Sequence, residues 1–187
     1  MKKMVAIFFA AIFASSAFAA SYEIDSTHTY PTFTIDHLGF SQMHGRFNKT
    51  SGKLVMDLAK GTGSVDITID AASIDTAFKK RDDHLKSPDF FNVVEYPSIT
   101  FKSTAVKFSG DSKGVVTGKL TIMGVTKEVA LDIEHIHCGK HPFNPKIEEV
   151  CGFNAITALK RSDYGMKFGL PAIGDDVNIA ISVEAKR

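Results

Sequence analysis

Six stretches of this chain alternate apolar and polar residues with a period of two, and that pattern constrains the fold more than any other feature. Between Thr32 and His37, one face carries Phe33, Ile35 and His37, and the other carries Thr32, Thr34 and Asp36. Val65, Ile67 and Ile69 alternate with Asp66, Thr68 and Asp70; Ile99 and Phe101 alternate with Thr100 and Lys102. Leu120 and Ile122 obey the same rule, as do Val129, Leu131 and Ile133. Near the end Val177, Ile179, Ile181 and Val183 oppose Asp176, Asn178, Ser182 and Glu184, with Ala180 on the polar face. Each stretch is a strand with one dry and one wet face, the signature of antiparallel sheet. Turn signals separate them at Lys60–Gly63, Gly110–Gly114 and Gly174–Asp176. About eight such strands must bury one face, either as a sandwich or as a closed barrel, and closure removes exposed edges.

The one helix expected runs from Thr76 to Ser87, a polar segment anchored by Phe78 and Leu85 and ended by Pro88. A shorter turn is expected near Ser162–Met166. This helical content is too small for a doubly wound α/β fold. No G-x-S-x-G, S-x-x-K, H-E-x-x-H or G-x-x-x-x-G-K string is present. Gly61 and Gly63 lack the third glycine and the following helix of a dinucleotide site. No cofactor is therefore expected, and no catalytic residue is assigned.

The start of the chain reads differently. Lys2 and Lys3 precede an uncharged apolar run that ends in Ala17-Phe18-Ala19-Ala20. That is a secretory signal, residues 1–19, with a small-residue cleavage site after Ala19, ahead of a single domain at 20–187. The run is too short and too interrupted to be a membrane span. Lys+Arg 22 against Asp+Glu 21 becomes 20 against 21 once the two lysines are removed, so the mature charge is −1. So even a balance, with no Trp, excludes an electrostatic case for a nucleic-acid partner. Export implies the periplasm, where Cys138 and Cys151 are expected to pair in one disulfide around a proline-containing loop. The alternative is metal binding with His135, His137 and His141, although the spacing matches no usual zinc pattern.

Longer strings carry a resemblance. They are FTIDHLGFSQMHGRF (Phe33–Phe47), RDDHLKSPDFFNVVEYPSITFKSTAV (Arg81–Val106), GKLTIMGVTKEVAL (Gly118–Leu131) and GFNAITALKRSDYGM (Gly152–Met166). In this order, over about Tyr22–Ala185, they resemble the YceI family of exported bacterial proteins. The resemblance implies an all-β, lipocalin-like antiparallel barrel of about eight strands, often a homodimer. It also implies an elongated apolar cavity for a polyisoprenoid, an isoprenoid quinone or a fatty-acyl chain. The Cys138/Cys151 pair departs from the general family pattern, as does Thr50, which stands where an aromatic or apolar residue is frequent.

The dry faces then supply the expected ligand-binding set: Phe33, Ile35, His37, Val65, Ile67, Phe101, Leu120, Ile122, Leu131, Phe153, Ile179 and Ile181. Small inward residues (Ser103, Gly118, Ala155) either leave room for a chain or interdigitate with the large ones. His37 is either a satisfied core histidine or a polar contact to a head group. Arg81, His84 and Asp89 line the mouth or are structural, Asp82 and Lys86 form a solvated helix face, and Arg161 pairs with Asp163. A filled structural or stress-response barrel and an enzyme using His37 or His84 are the competing functions. Intact mass of protein from the native host should show Ala20 as the first residue; retention of Lys2 and Lys3 would contradict export with cleavage.

Overall fold

The computed structural model describes residues 19–57, 60–109 and 112–187. Residues 1–18 of the expected signal segment and the first two residues of the Gly110–Gly114 turn lie outside the described residues. Eleven strands succeed one another: β1 (Ala20–Ile24), β2 (Tyr30–His37), β3 (Ser41–Phe47), β4 (Thr50–Asp57), β5 (Thr62–Asp70), β6 (Ile74–Asp75), β7 (Ser98–Ser109), β8 (Lys113–Ile122), β9 (Val125–Gly139), β10 (Val150–Lys160) and β11 (Ile173–Lys186). One helix, α1 (Lys79–Leu85), stands between β6 and β7.

The pairings reduce eleven strands to eight staves. β11 pairs with β1 at Ile24↔Ala185 and with β2 at Tyr30↔Ser182, so β1 and β2 form one interrupted stave. β3 and β4 continue each other in the same way against β2 and β1. β5 and β6 continue each other against β4 and β3. β7, β8, β9 and β10 complete the circuit back to β11, every pair antiparallel. The expected barrel of about eight strands is therefore closed. Thr29 holds the first stave together across its break: its hydroxyl donates to the Glu184 carbonyl at 3.1 Å and accepts from the Glu184 N–H at 3.0 Å.

Alternation sets the two surfaces. Asp66, Thr68, Lys102, Lys119, Glu128, Asp132 and Asn178 are exposed on the outside, while their apolar neighbours turn inward. This is the reverse of a lipid-facing barrel, which turns its apolar band outward. Among the described residues no helix is long and apolar enough to cross a membrane. Two small inward positions are packing sites rather than voids. A Cβ at Gly118 would lie 2.5 Å from the Phe101 ring, and one at Gly45 would collide with the Phe33 ring and the Thr76 methyl. Interdigitation is the reading that applies there.

The two barrel ends are closed differently. At one end Tyr22, Ile24, Leu54, Met56, Cys151 and Ala185 form a packed floor. Cys138 and Cys151 stand directly opposite in the β9–β10 register and are joined as a disulfide, with Cys151 fully buried. The bond removes both cysteines from the alternative metal set, and His135 and His137 are exposed. The Tyr22 hydroxyl donates to Glu149 Oε2 at 2.6 Å, so the loop before β10 is tied to the floor. Burial, and then Glu149, push Tyr22 up to about 12, which keeps it a donor at neutral pH.

At the other end the chain leaves the ladder between β6 and β7 and folds over the opening as a cap. Its helix is shorter than the expected Thr76–Ser87. Ala77 has a left-handed φ of 61°, and the Asp82 carboxylate turns back to accept the Thr76 N–H and hydroxyl. Asp82 is thus committed to Thr76 rather than to a solvated pairing with Lys86; the exposed i,i+4 pair is Lys79–Asp83. A short 3₁₀ turn covers Arg161–Tyr164, near the expected Ser162–Met166.

The floor disulfide closes a sequence separation of 13. Replacing both cysteines, Cys138→Ala with Cys151→Ala, should therefore cost roughly 3 kcal/mol. The urea midpoint should fall, with a steeper slope because the unfolded chain is no longer cross-linked; an unshifted midpoint would contradict this role.

Candidate ligand cavity

The barrel interior is hollow. A cavity of about 430 Å³ runs through it, within the size range of small-molecule sites. All twelve residues of the expected ligand-binding set border this cavity. Ten of the twelve remain partly exposed although they point inward; Phe101 and Ile122, each 6% exposed, are the two buried ones. Inward side chains in a filled core would lose that exposure, so the residual surface faces the lumen. Val177, Ile179, Ile181 and Val183 line it in succession along β11, a length of about 20 Å at the usual strand rise.

Other wall residues lie outside the expected set. Leu54 and Met56 continue a period-two face from Thr50 and Gly52, a signal obscured by the glycine. Ile133 lies on a face whose alternation is legible, but the β9–β10 register shifts between Asn154 and Ala155 and re-aims the residues beyond that point. Phe90, Phe91, Met166 and Phe168 come from the cap and the 165–172 loop, where no periodicity marks them. Thr50 is inward and 4% exposed, and its hydroxyl has no hydrogen-bond partner among the described residues.

Four ionisable groups of the wall, His37, Arg81, His84 and Arg161, lie at the capped end. His37 ends β2 opposite Ile173 and borders the cavity. It makes no side-chain hydrogen bond among the described residues, so it is not a satisfied core histidine. Arg81 donates through Nε to the Thr76 hydroxyl at 2.7 Å and through Nη2 to the Thr76 carbonyl at 2.6 Å. These bonds tie α1 back to Thr76, the residue that follows β6. The His84 ring meets Phe90 and Phe168 edge-on at 5.1 and 5.0 Å, and its Nε2 lies 3.0 Å from Asp89 Oδ2. His84 thereby clasps the cap to the 165–172 loop across the mouth.

Arg161 is 3% exposed and does not pair with Asp163. Its Nε, Nη1 and Nη2 donate to the carbonyls of Gly174, Met166 and Ile173 at 2.8, 3.1 and 3.1 Å. Backbone oxygens are better placed because the 3₁₀ turn and the start of β11 wrap around the guanidinium. Burial lowers its pKa from the ordinary arginine value, opposed by the nearby Asp175, whose carboxylate accepts from the Ser162 N–H and hydroxyl.

Comparison with known proteins agrees with this architecture. The family model for the YceI-like domain matches residues 22–185. Protein YceI of Escherichia coli O157:H7 is 38% identical over 188 residues, covering 98% of this chain and 96% of the relative. The crystal structure of Burkholderia cenocepacia BcnA superposes with a TM-score of 0.76 at 28% identity, covering 86% of this chain and 98% of that one. A polyisoprenoid binding domain from Saccharophagus degradans superposes with a TM-score of 0.61 at 17% identity, covering 88% and 97%, which is a likeness of fold alone. On the family match and the identity across nearly its whole length, the chain belongs to the YceI family.

Proposed function

We propose that this protein is an exported periplasmic carrier that holds a long-chain amphiphile, of polyisoprenoid, isoprenoid-quinone or fatty-acyl type, inside its barrel. The observation that carries the reading is the hollow interior: inward side chains keep exposed apolar surface along a continuous lumen. Such surface is unfavourable in water and is removed from it when a chain enters. The twelve expected residues are the proposed contacts along the chain, with His37 as a polar one. Residues 20–187 form the binding domain after removal of 1–19. The polyisoprenoid binding domain of the same fold is compatible with this ligand class. The protein acts as a binder rather than as an enzyme, without nucleic acid, and the homodimer common in the family belongs to the same reading.

Each CH₂ buried gains roughly 0.8 kcal/mol, so ten carbons contribute about 8 kcal/mol before the cost of ordering them. Affinity should rise with chain length until the lumen is full and should depend little on salt. Ala155 is inward, buried and on the cavity wall. Ala155→Phe should weaken long chains more than short ones while the barrel stays folded. Titration of an acyl or prenyl series against both proteins tests this. Equal affinities across chain lengths, or binding lost on adding salt, would place recognition outside the lumen.

A further inference from the structure

Apolar side chains stand in water around the mouth of the lumen. Leu38, Phe40, Phe78 and Phe168 are all exposed, and they come from three separate segments: the β2–β3 turn, the residue before α1 and the 165–172 loop. Each segment also reaches the cavity wall, through His37, through Arg81 and His84, and through Phe168 itself. The four side chains therefore form a rim. At the floor end Phe143, in the loop between the two cysteines, is exposed as well.

The β2–β3 turn keeps its apolar groups outside at a cost in backbone strain. The Phe40 N–H bonds the His37 carbonyl at 3.1 Å, and both residues inside that turn are left-handed, Leu38 with φ 60° and Gly39 with φ 73°. Such turns favour Asn and Gly, and a bulky side chain there is strained. Two bonds hold it: the Leu38 N–H to the Ala172 carbonyl at 3.0 Å, and the Gly39 N–H to Asp36 Oδ2 at 2.9 Å. A Cβ on Gly39 would meet nothing within 4 Å, so the turn stands clear of the body. Phe40 follows it at 87% exposure. Strain kept in place to hold apolar groups in water points to a surface that receives them.

We propose that this rim docks the barrel mouth-first on a phospholipid bilayer, so that an amphiphile passes between membrane and lumen without crossing water. The transfer rests on the carrier reading above; the docking surface rests on the rim itself. Separate tips around an opening suit a fluid surface that each tip enters independently, and aromatic rings favour the boundary between head groups and acyl chains. Lys80 lies two residues after Phe78 and Lys167 directly before Phe168; both are exposed and have no acidic partner among the described residues. Their stems can lie along the interface with the ammonium among the phosphates. Carboxylates are present at this end too, Asp83 on Lys79, Asp89 beside His84 and Asp163 exposed on the 3₁₀ turn. The charge of the rim is mixed, so apolar entry supplies the hold. The polar outer wall limits that entry to the turn and loops.

The test uses the mature protein and vesicles of phosphatidylethanolamine and phosphatidylglycerol. The chain has no Trp, so Phe40→Trp and, at the floor, Phe143→Trp each introduce a single indole reporter. Emission of the Phe40→Trp protein should shift to the blue on adding vesicles and be quenched by brominated acyl chains; the Phe143→Trp protein should show neither. Leu38→Asn combined with Phe40→Ser removes the apolar tip and gives position 38 a residue suited to its left-handed backbone. The melting temperature of this double variant should hold or rise, while its co-sedimentation with vesicles falls at least about tenfold. A merely structural tip predicts the opposite, a lower melting temperature with binding unchanged. Failure of the parent protein to sediment, undiminished sedimentation of the double variant, or equal quenching at the floor reporter would overturn docking by this rim. A dimer lost in the double variant, in place of vesicle binding, would overturn it too and make the rim a face between two copies of the chain. Vesicle docking through Phe40, with acyl affinity independent of chain length, would leave the docking surface standing and overturn the carrier reading alone.

Discussion

Closure of the hydrogen-bonded ladder between β11 and the two N-terminal strands is the constraint on which the rest of this structure depends. A sheet of this length left open would expose two edges. Once β11 takes β1 and β2 as a single stave, the sheet has an inside and an outside, and every period-two stretch must send one face to each. Eight staves enclose a space just wide enough to be filled by side chains or to hold one small ligand. Here the wall side chains stop short of one another, so the enclosed space stays open along β11.

Different chemistry at the two ends gives the space a direction. The floor is a packed cluster fixed by the Cys138–Cys151 bond and by Tyr22 on Glu149. The opposite end is closed by a cap that leaves the ladder: Leu85, Phe91 and Val93 pack on the buried cluster of Phe47, Ile74, Ile99, Ile122 and Met166, Arg81 bonds Thr76, and His84 meets Phe168 edge-on. Cap and loop meet through edge-on rings rather than through a backbone ladder. The capped end is also the end that carries His37, Arg81, His84 and Arg161.

The wall is legible in the sequence because alternation is a property of the backbone: Phe33, Ile35 and His37 must share a face in any strand. What alternation alone does not carry is registry between strands. The pairing of β11 with two successive strands, and the register shifts at Ser103/Ala105 and Asn154/Ala155, depend on contacts far apart in the chain. Phe90 and Phe91 are hidden for another reason, since they sit in a cap with no period to read. Proximity in sequence assigns Arg161 to Asp163, whereas a buried guanidinium takes whichever acceptors surround it, here three carbonyls. Whether the interior is hollow or filled depends on side-chain reach across the lumen. Gly118 shows how a small residue can be consumed by a neighbour, because the Phe101 ring fills its space.

The central claim is that the lumen holds the chain of an amphiphile, and native mass spectrometry of protein purified without detergent from its own host tests it most directly. The account predicts a population heavier than the disulfide-bonded mature chain by the mass of one long-chain lipid. That lipid should be recoverable in organic solvent and absent from the Ala155→Phe protein. A reproducibly unliganded mass, with nothing recovered in the solvent, would contradict the carrier reading and leave a structural barrel.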